Sequence, residues 1–533
     1  MKPCLAFLLL AAFPAAAATH TCPADLSAWR QILGAEWIDC HQVADLTTTG
    51  NPYTDPQSLT GMGFPPPGSG TLNSKYTQPT TPPVSGLQID GYFPDACNAF
   101  QVEPAQTAKD GTPFIPGCTP PPAVGQTCLA GCHHDGQFVI RIPDDWEGHL
   151  LTTGTPGIRD AFSSDFIFSD YALEKGWAYV SQDKGNMGAN FYRAGADEAG
   201  GAATPWVPGA AVREWTTRIR QATFAARALL TSLGPQYGVP GVTRSYVAGI
   251  SNGGYQTRRA LETDTKKQQL YDGGVDWEGT LFLSSLPAGV QTQAPSTGYN
   301  LFTYLPTALA NYPGDVAGDP AAVQALAAVG FNPQSQPLWS YHWGIYWGLT
   351  QKIYRLEFDP EYTGYTCSDP LGIGPSCVSP PALAVTPGDP DARYDYRARL
   401  AANPALASRL QAVANTGNVQ RPLITLHGDQ DSLLPIATDS ALYAQMVAQA
   451  GKSRSYRYYV VQGGNHVDPL YDDHAGIDAY GDTVLRPMLP CVRAAIDVLA
   501  LWVEGGVEPP PSRTIPRPQG ATPSDLANAC SLR

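Results

Sequence analysis

Positive charge is scarce in this 533-residue chain. Its 33 Lys and Arg are outnumbered by 47 Asp and Glu, leaving a net charge of −14. Nucleic acid and anionic membrane surfaces are held by clustered cations, so this balance argues against both as partners. Long apolar runs are missing too. Beyond the first 20 residues no stretch approaches the roughly 20 apolar residues that span a bilayer. No internal repeat is present, which sets aside stacked-repeat architectures. Charged residues of either sign make up only 15%. What the chain has in quantity is Gly and Pro, 53 and 50 residues, the texture of a loop-rich, compact exported protein.

The opening "MKPCLAFLLLAAFPAAAATH" has a basic start, an apolar centre and a small-residue exit. It reads as a secretory signal peptide over residues 1–18, cut after Ala18, which places the mature protein outside the cytoplasm, extracellular or periplasmic. Setting Cys4 aside with the leader, ten of the 11 cysteines remain, an even number suited to an oxidising compartment. Cys22 with Cys40, Cys367 with Cys377 and Cys491 with Cys530 are candidate pairs, with connectivity open. "CLAGCHH", from Cys128 to His134, is one residue too long for haem attachment and reads as ordinary disulfide cysteines.

Residues 19–135 are Pro-rich and show little periodicity, so they read as an irregular, disulfide-tied N-terminal region. From Gln137 the pattern changes. Segments 137–142, 149–153, 177–182, 244–249, 279–285, 422–427 and 456–462 have the apolar and β-branched composition of strands. Between them, Val212, Trp215, Ile219, Ala222, Ala226, Leu229 and Leu233 form one helical stripe. Residues 491–506 supply a closing helix. Strands alternating with helices predict an α/β fold with a mostly parallel, doubly wound sheet over 136–285 and 422–506. The aromatic-rich interval 286–421 is too long for a crossover and reads as an inserted cap or lid. Residues 507–533 form a Pro-rich tail.

Ser251 lies between Gly249 and Gly253, after a strand and before a helix. A serine hydroxyl needs a base to take its proton and donors to hold the developing oxyanion. Small neighbours allow the sharp bend that projects such a side chain from a strand end. Two later strands end in loops carrying the missing partners. One holds Asp429 and Asp431, the other His466, a residue type that exchanges protons near neutral pH. The order Ser, Asp, His puts all three on one edge of a parallel sheet. His427 reads as structural, and His474 follows no strand end. "HVDPLYDDH" matches no ligand spacing, so no metal and no cofactor is expected. The segment 271–279 lies close enough in sequence to contribute to the site, although a helix-to-strand turn explains it equally.

With "GISNG", "HGDQDSLLP" and "GGNH" in place, residues 137 to about 505 resemble the α/β-hydrolases. That resemblance implies Ser251 as nucleophile, His466 as base and then acid, and Asp431 rather than Asp429 as the orienting carboxylate. It also implies an oxyanion hole from the backbone N–H of Asn252, with a second donor from Gly154, Thr155 or Gly157, Thr155 being the choice. The "SNGG" elbow and the upstream texture are similar to 3-hydroxybutyrate-oligomer hydrolases. Tannases and feruloyl esterases are similar in leader, cysteines and insertion. Their paired cysteines flanking the serine and histidine are replaced here by Ile250 and Val467. The expectation is a secreted serine esterase acting on small or oligomeric hydroxyacid esters. The alternatives are aromatic esters, peptide bonds, or a non-catalytic binding role.

Overall fold

The computed structural model describes residues 20–54, 72–79, 82–94, 106–107, 113–115, 136–157, 160–185, 209–292, 300–311, 319–359, 362, 394–472 and 478–533. The signal-peptide segment, Cys128 to His134, the Cys367/Cys377 pair and His474 lie outside them.

The main sheet takes its strands from the whole length of the chain. They are β1 (Trp37–Val43), β2 (Gly86–Tyr92), β3 (Gln137–Pro143), β4 (His149–Gly154), β5 (Ala178–Gln182), β6 (Arg244–Ile250), β7 (Gly273–Trp277), β8 (Leu423–Gly428), β9 (Tyr456–Val461) and β10 (Arg513–Ile515). Their order is β1-β2-β3-β5-β4-β6-β7-β8-β9-β10. The first three neighbour pairs are antiparallel. Every pair from β5/β4 to β9/β10 is parallel. The central strands β4 to β8 are buried almost throughout, as expected for a parallel sheet covered on both faces.

The stripe read from the sequence forms α1 (Ala210–Leu233). Val212, Trp215, Ile219, Ala222, Ala226 and Leu229 are all buried. Each Leu- or Ile-sized side chain contributes about 1.5–3 kcal/mol. Helix α2 (Asn252–Thr263) follows β6 directly. The insertion is helical where described: α3 (Leu301–Asn311), α4 (Pro320–Ala328), α5 (Gln336–His342), α6 (Leu349–Phe358), α7 (Tyr396–Ala402) and α8 (Pro404–Val413). Trp339, Trp347, Tyr354 and Phe358 pack its core together with Trp215 of α1 and Tyr255 of α2. The aromatics thus fasten the insertion to the sheet's helices. Helix α9 (Ser440–Gln449) packs in another core cluster, and α10 (Leu489–Gly505) closes the sheet near β7 and β8.

Two sequence expectations are corrected. Residues 279–285 form no strand; the strand lies just before, at Gly273–Trp277. The segment alternates as a strand would, with Leu281 and Leu283 in one cluster and Phe282 in another. Its backbone donors nevertheless bond side chains: Leu281 N–H to Asp439 and Phe282 N–H to Asn415. Secondly, β1 and β2 come from the region read as irregular. Strand β2 buries Gln88 and Asp90, which disguises its periodicity. The guanidinium of Arg141 donates to Gln88 at 2.9 Å and to Asp165 at 2.6 Å, satisfying this polar patch.

Two of the candidate disulfides form, Cys22–Cys40 and Cys491–Cys530. Among the described residues no helix is long and apolar enough to cross a membrane.

Candidate active site

Ser251 stands between β6 and α2 with φ 59° and ψ −121°. A non-glycine residue adopts this region only where the surroundings enforce it, at a cost of about 1–3 kcal/mol. The enforcement is visible. Ser251 N–H donates to Trp277 O at 2.9 Å, and Ser251 C=O accepts from Thr280 and Tyr255. The bend also requires bare glycines. A Cβ on Gly253 would lie 2.3 Å from Gly154 O, and one on Gly154 would lie 2.5 Å from Gly253 O. The tip of β4 and the start of α2 therefore touch through backbone alone. A serine in a strained turn after a central parallel strand, with strands β3, β5, β4, β6, β7, β8 and β9 in that order, decides the architecture. The chain has the α/β-hydrolase fold.

The loops that carry Asp431 and His466 follow β8 and β9. His466 Nδ1 lies 2.9 Å from Asp431 Oδ2, and both residues are buried. Asp431 Oδ1 accepts the N–H groups of Leu433 and Leu434 at 2.8 and 2.9 Å. Burial opposes ionisation of this carboxyl, but His466 and His427 outweigh it and hold it below its ordinary value. Asp429 is placed otherwise. Its carboxylate accepts from Gly463 N–H at 2.8 Å and from Gln430. The two loops are laced by Gln430 N–H to Gly464 O at 2.8 Å, and a Cβ on Gly428 would strike Gly464.

Ser251 is partly exposed, and among the described residues no hydrogen bond joins its hydroxyl to His466. Asn252 follows it as the first residue of α2. Its side-chain oxygen accepts from Thr280 and, at 3.1 Å, from Tyr354 of α6, so the insertion reaches the elbow. Thr155 is buried beyond β4. Its hydroxyl donates to Gln182 O, and its carbonyl accepts from Gln256 at 3.0 Å. Thr155 and Asn252 thus flank the contact between Gly154 and Gly253.

Three further residues gather around Asp431 and His466, of which the sequence marks only His427, as structural. His427 Nε2 lies 3.2 Å from Asp431 Oδ2 and its Nδ1 is 2.6 Å from Ser440, so it steadies the acid. His342 of α5 bonds Ser432 beside Asp431, and burial lowers its pKa to about 3. Glu278, just past β7, faces His466 at 3.6 Å. It belongs to the segment 271–279, whose contribution the sequence left open. Glu278, Asp431 and His466 bring ligand-type atoms within 4.8 Å of one another, the one such group of three among the described residues. The described carboxylates of "HVDPLYDDH" point apart: Asp468 accepts the N–H groups of Met488 and Leu489 at the head of α10, while Asp472 binds Ser74 and Lys75. A cavity of about 1140 Å³ opens elsewhere, beside α1 at Arg213, Arg218 and Phe224.

No family model matches the chain. It is similar to a D-(-)-3-hydroxybutyrate oligomer hydrolase of Ralstonia nicotianae, 30% identical over 133 residues, covering 24% of this chain and 18% of that one. The enzyme of the same name from Ralstonia pickettii is 29% identical over 124 residues, 23% of this chain and 17% of that one. The matched stretches thus span under a fifth of these relatives. Among solved structures, feruloyl esterase B of Aspergillus oryzae aligns over 82% of this chain and 89% of its own, at 14% identity and TM-score 0.39. Tannin acyl hydrolase of Aspergillus niger aligns over 88% and 83%, at 14% identity and TM-score 0.37.

Proposed function

We propose that this α/β-hydrolase is a secreted serine esterase that cleaves carboxylic esters through an acyl-enzyme. The observation that carries the reading is the buried His466–Asp431 pair, 2.9 Å apart, on strand-end loops beside the strained elbow of Ser251. Ser251 Oγ attacks the ester carbonyl while His466 Nε2 takes its proton. Asp431 holds Nδ1–H and so fixes the tautomer that leaves Nε2 free to accept. The N–H groups of Asn252 and Thr155 receive the oxyanion. His466 then protonates the departing alkoxide. Water, deprotonated by the same imidazole, releases the acid and restores Ser251.

Hydroxyacid oligomers are the proposed substrate class, because the two curated relatives are named for hydrolysing 3-hydroxybutyrate oligomers. The deciding assay sets the purified protein against 3-hydroxybutyrate oligomers, feruloyl and galloyl esters, and peptide anilides. Preference for the oligomers is expected. Preference for the aromatic esters would move the substrate class, and activity confined to anilides would remove the esterase reading. Ser251→Ala should abolish turnover. Asp431→Asn should lower kcat/KM at least about tenfold, whereas Asp429→Asn should stay within about threefold; the reverse ranking would shift the acid by two residues.

A further inference from the structure

Glu278 is fully buried one residue beyond β7, with φ 51°. Its backbone N–H donates to Leu426 O at 2.9 Å, and its Oε1 accepts from Gly428 N–H at 2.8 Å. Both bonds tie it to the end of β8, just ahead of the acid loop. Oε2 is different. It has no hydrogen-bond partner, although it is buried, and it lies 3.6 Å from His466 Nδ1. A buried polar atom left unpaired is costly, about 1–3 kcal/mol, so its aim at the imidazole calls for a reason.

The His466 ring therefore meets two carboxyl groups on its Nδ1 side, one from each of two adjacent strands. Resting on the esterase reading above, we infer that Glu278 is a second positioning residue for His466, placed to hold Nδ1–H when Asp431 bears no charge. The two acids divide the work. Two carboxylates this close in a buried site cannot both ionise cheaply. Burial, and then the charge on Asp431, push the Glu278 carboxyl well above its ordinary value. Asp431 has two backbone N–H donors and two imidazoles in support, so it carries the charge while Glu278 keeps the proton. Removing the Asp431 charge removes the repulsion. Glu278 then gives its proton to solvent, and Oε2 closes from 3.6 Å toward the 2.9 Å that Asp431 now holds.

The test is a double-mutant cycle on the full chain with p-nitrophenyl butyrate as probe. Glu278→Gln keeps an acceptor for Gly428 and removes only the ionisable group. Alone, it should lower kcat by about two- to fivefold, the order of one weak polar contact. Asp431→Asn should lower kcat by about 10- to 100-fold, less than the roughly 10⁴ expected where no second carboxyl is at hand. Adding Glu278→Gln to Asp431→Asn should cost at least about another tenfold, on kcat, with KM within about twofold. Thermal melts confirm that each variant is folded. Equal kcat for Asp431→Asn and the double variant would overturn the inference while leaving the esterase reading intact. A Glu278→Gln loss as large as that of Asp431→Asn would also overturn it, because the two groups would then be one obligate unit. Undiminished hydrolysis by Ser251→Ala would overturn the esterase reading, and this inference with it.

Discussion

Ser251 holds a backbone conformation that suits glycine better than serine. Ser251→Gly should therefore be inactive yet more stable, by about 1–3 kcal/mol in urea unfolding. A variant no more stable than wild type would show that the turn is unstrained. Tyr354 bears on the same turn from the insertion. Tyr354→Phe removes its bond to the Asn252 side chain and should lower kcat about two- to tenfold with an unchanged melt. The positions of Ser251, Asp431 and His466 on strand-end loops were legible because each follows an apolar run. His427 was read as structural, but Glu278 and His342 were not singled out. The partners of Glu278 and His342 lie on other elements of the chain, and nothing in their own neighbourhood marks the contact.

At the level of elements, strand β7 is held by charge as well as by its ladder. Asp276 receives Arg258 of α2 at 2.6 Å, Thr425 of β8 at 2.8 Å and Gly279 N–H at 2.8 Å. It is buried. Asp276→Ala strands the Arg258 guanidinium and should cost about 3–5 kcal/mol in chemical denaturation. A loss below about 1 kcal/mol would mean that packing alone holds β7. The strand escaped sequence reading because it opens on two glycines, which are poor strand formers. The strand-like run after it fails for a complementary reason: its backbone donors are claimed by Asp439 and Asn415 before any strand can pair with them. The long helix α1 was legible from its spacing alone. Strand β2 was hidden by inward-facing polar residues whose partners, Asn51, Tyr53 and Arg141, lie elsewhere along the chain.

At the scale of the molecule, several carboxyls among the described residues are buried with no ion pair to a described cation. Burial raises Asp170, Asp439 and Asp468 each to about 7. Because the unfolded chain ionises these groups near 3.8, their contribution to stability is full below about pH 4 and is lost as pH rises through 7. Asp431, lowered by its two imidazoles, acts in the opposite sense and is lost only in acid. Between pH 5 and pH 7 the three carboxyls act against one group, His342, whose pKa, lowered from 6.5 to about 3, works in the opposite sense, so unfolding midpoints should still fall over that range, each group contributing about 1.4 kcal/mol per pH unit. Asp170→Asn can keep the Thr48 bonds and should flatten part of that slope. An identical slope in wild type and variant would reject the assignment.

The last described strand, β10, pairs beside β9, and Cys530 is bonded to Cys491 at the head of α10. The strand that leads to His466 thus gains its outer neighbour from residues near position 515. A chain emerging from the ribosome or a translocation pore in N-to-C order presents Ser251 long before that edge exists. The elbow of Ser251 can therefore form before the outer edge beside β9 is in place. The support of the His466 loop is thus discontinuous in sequence: its strand pairs outward with residues drawn from more than 50 positions further along the chain.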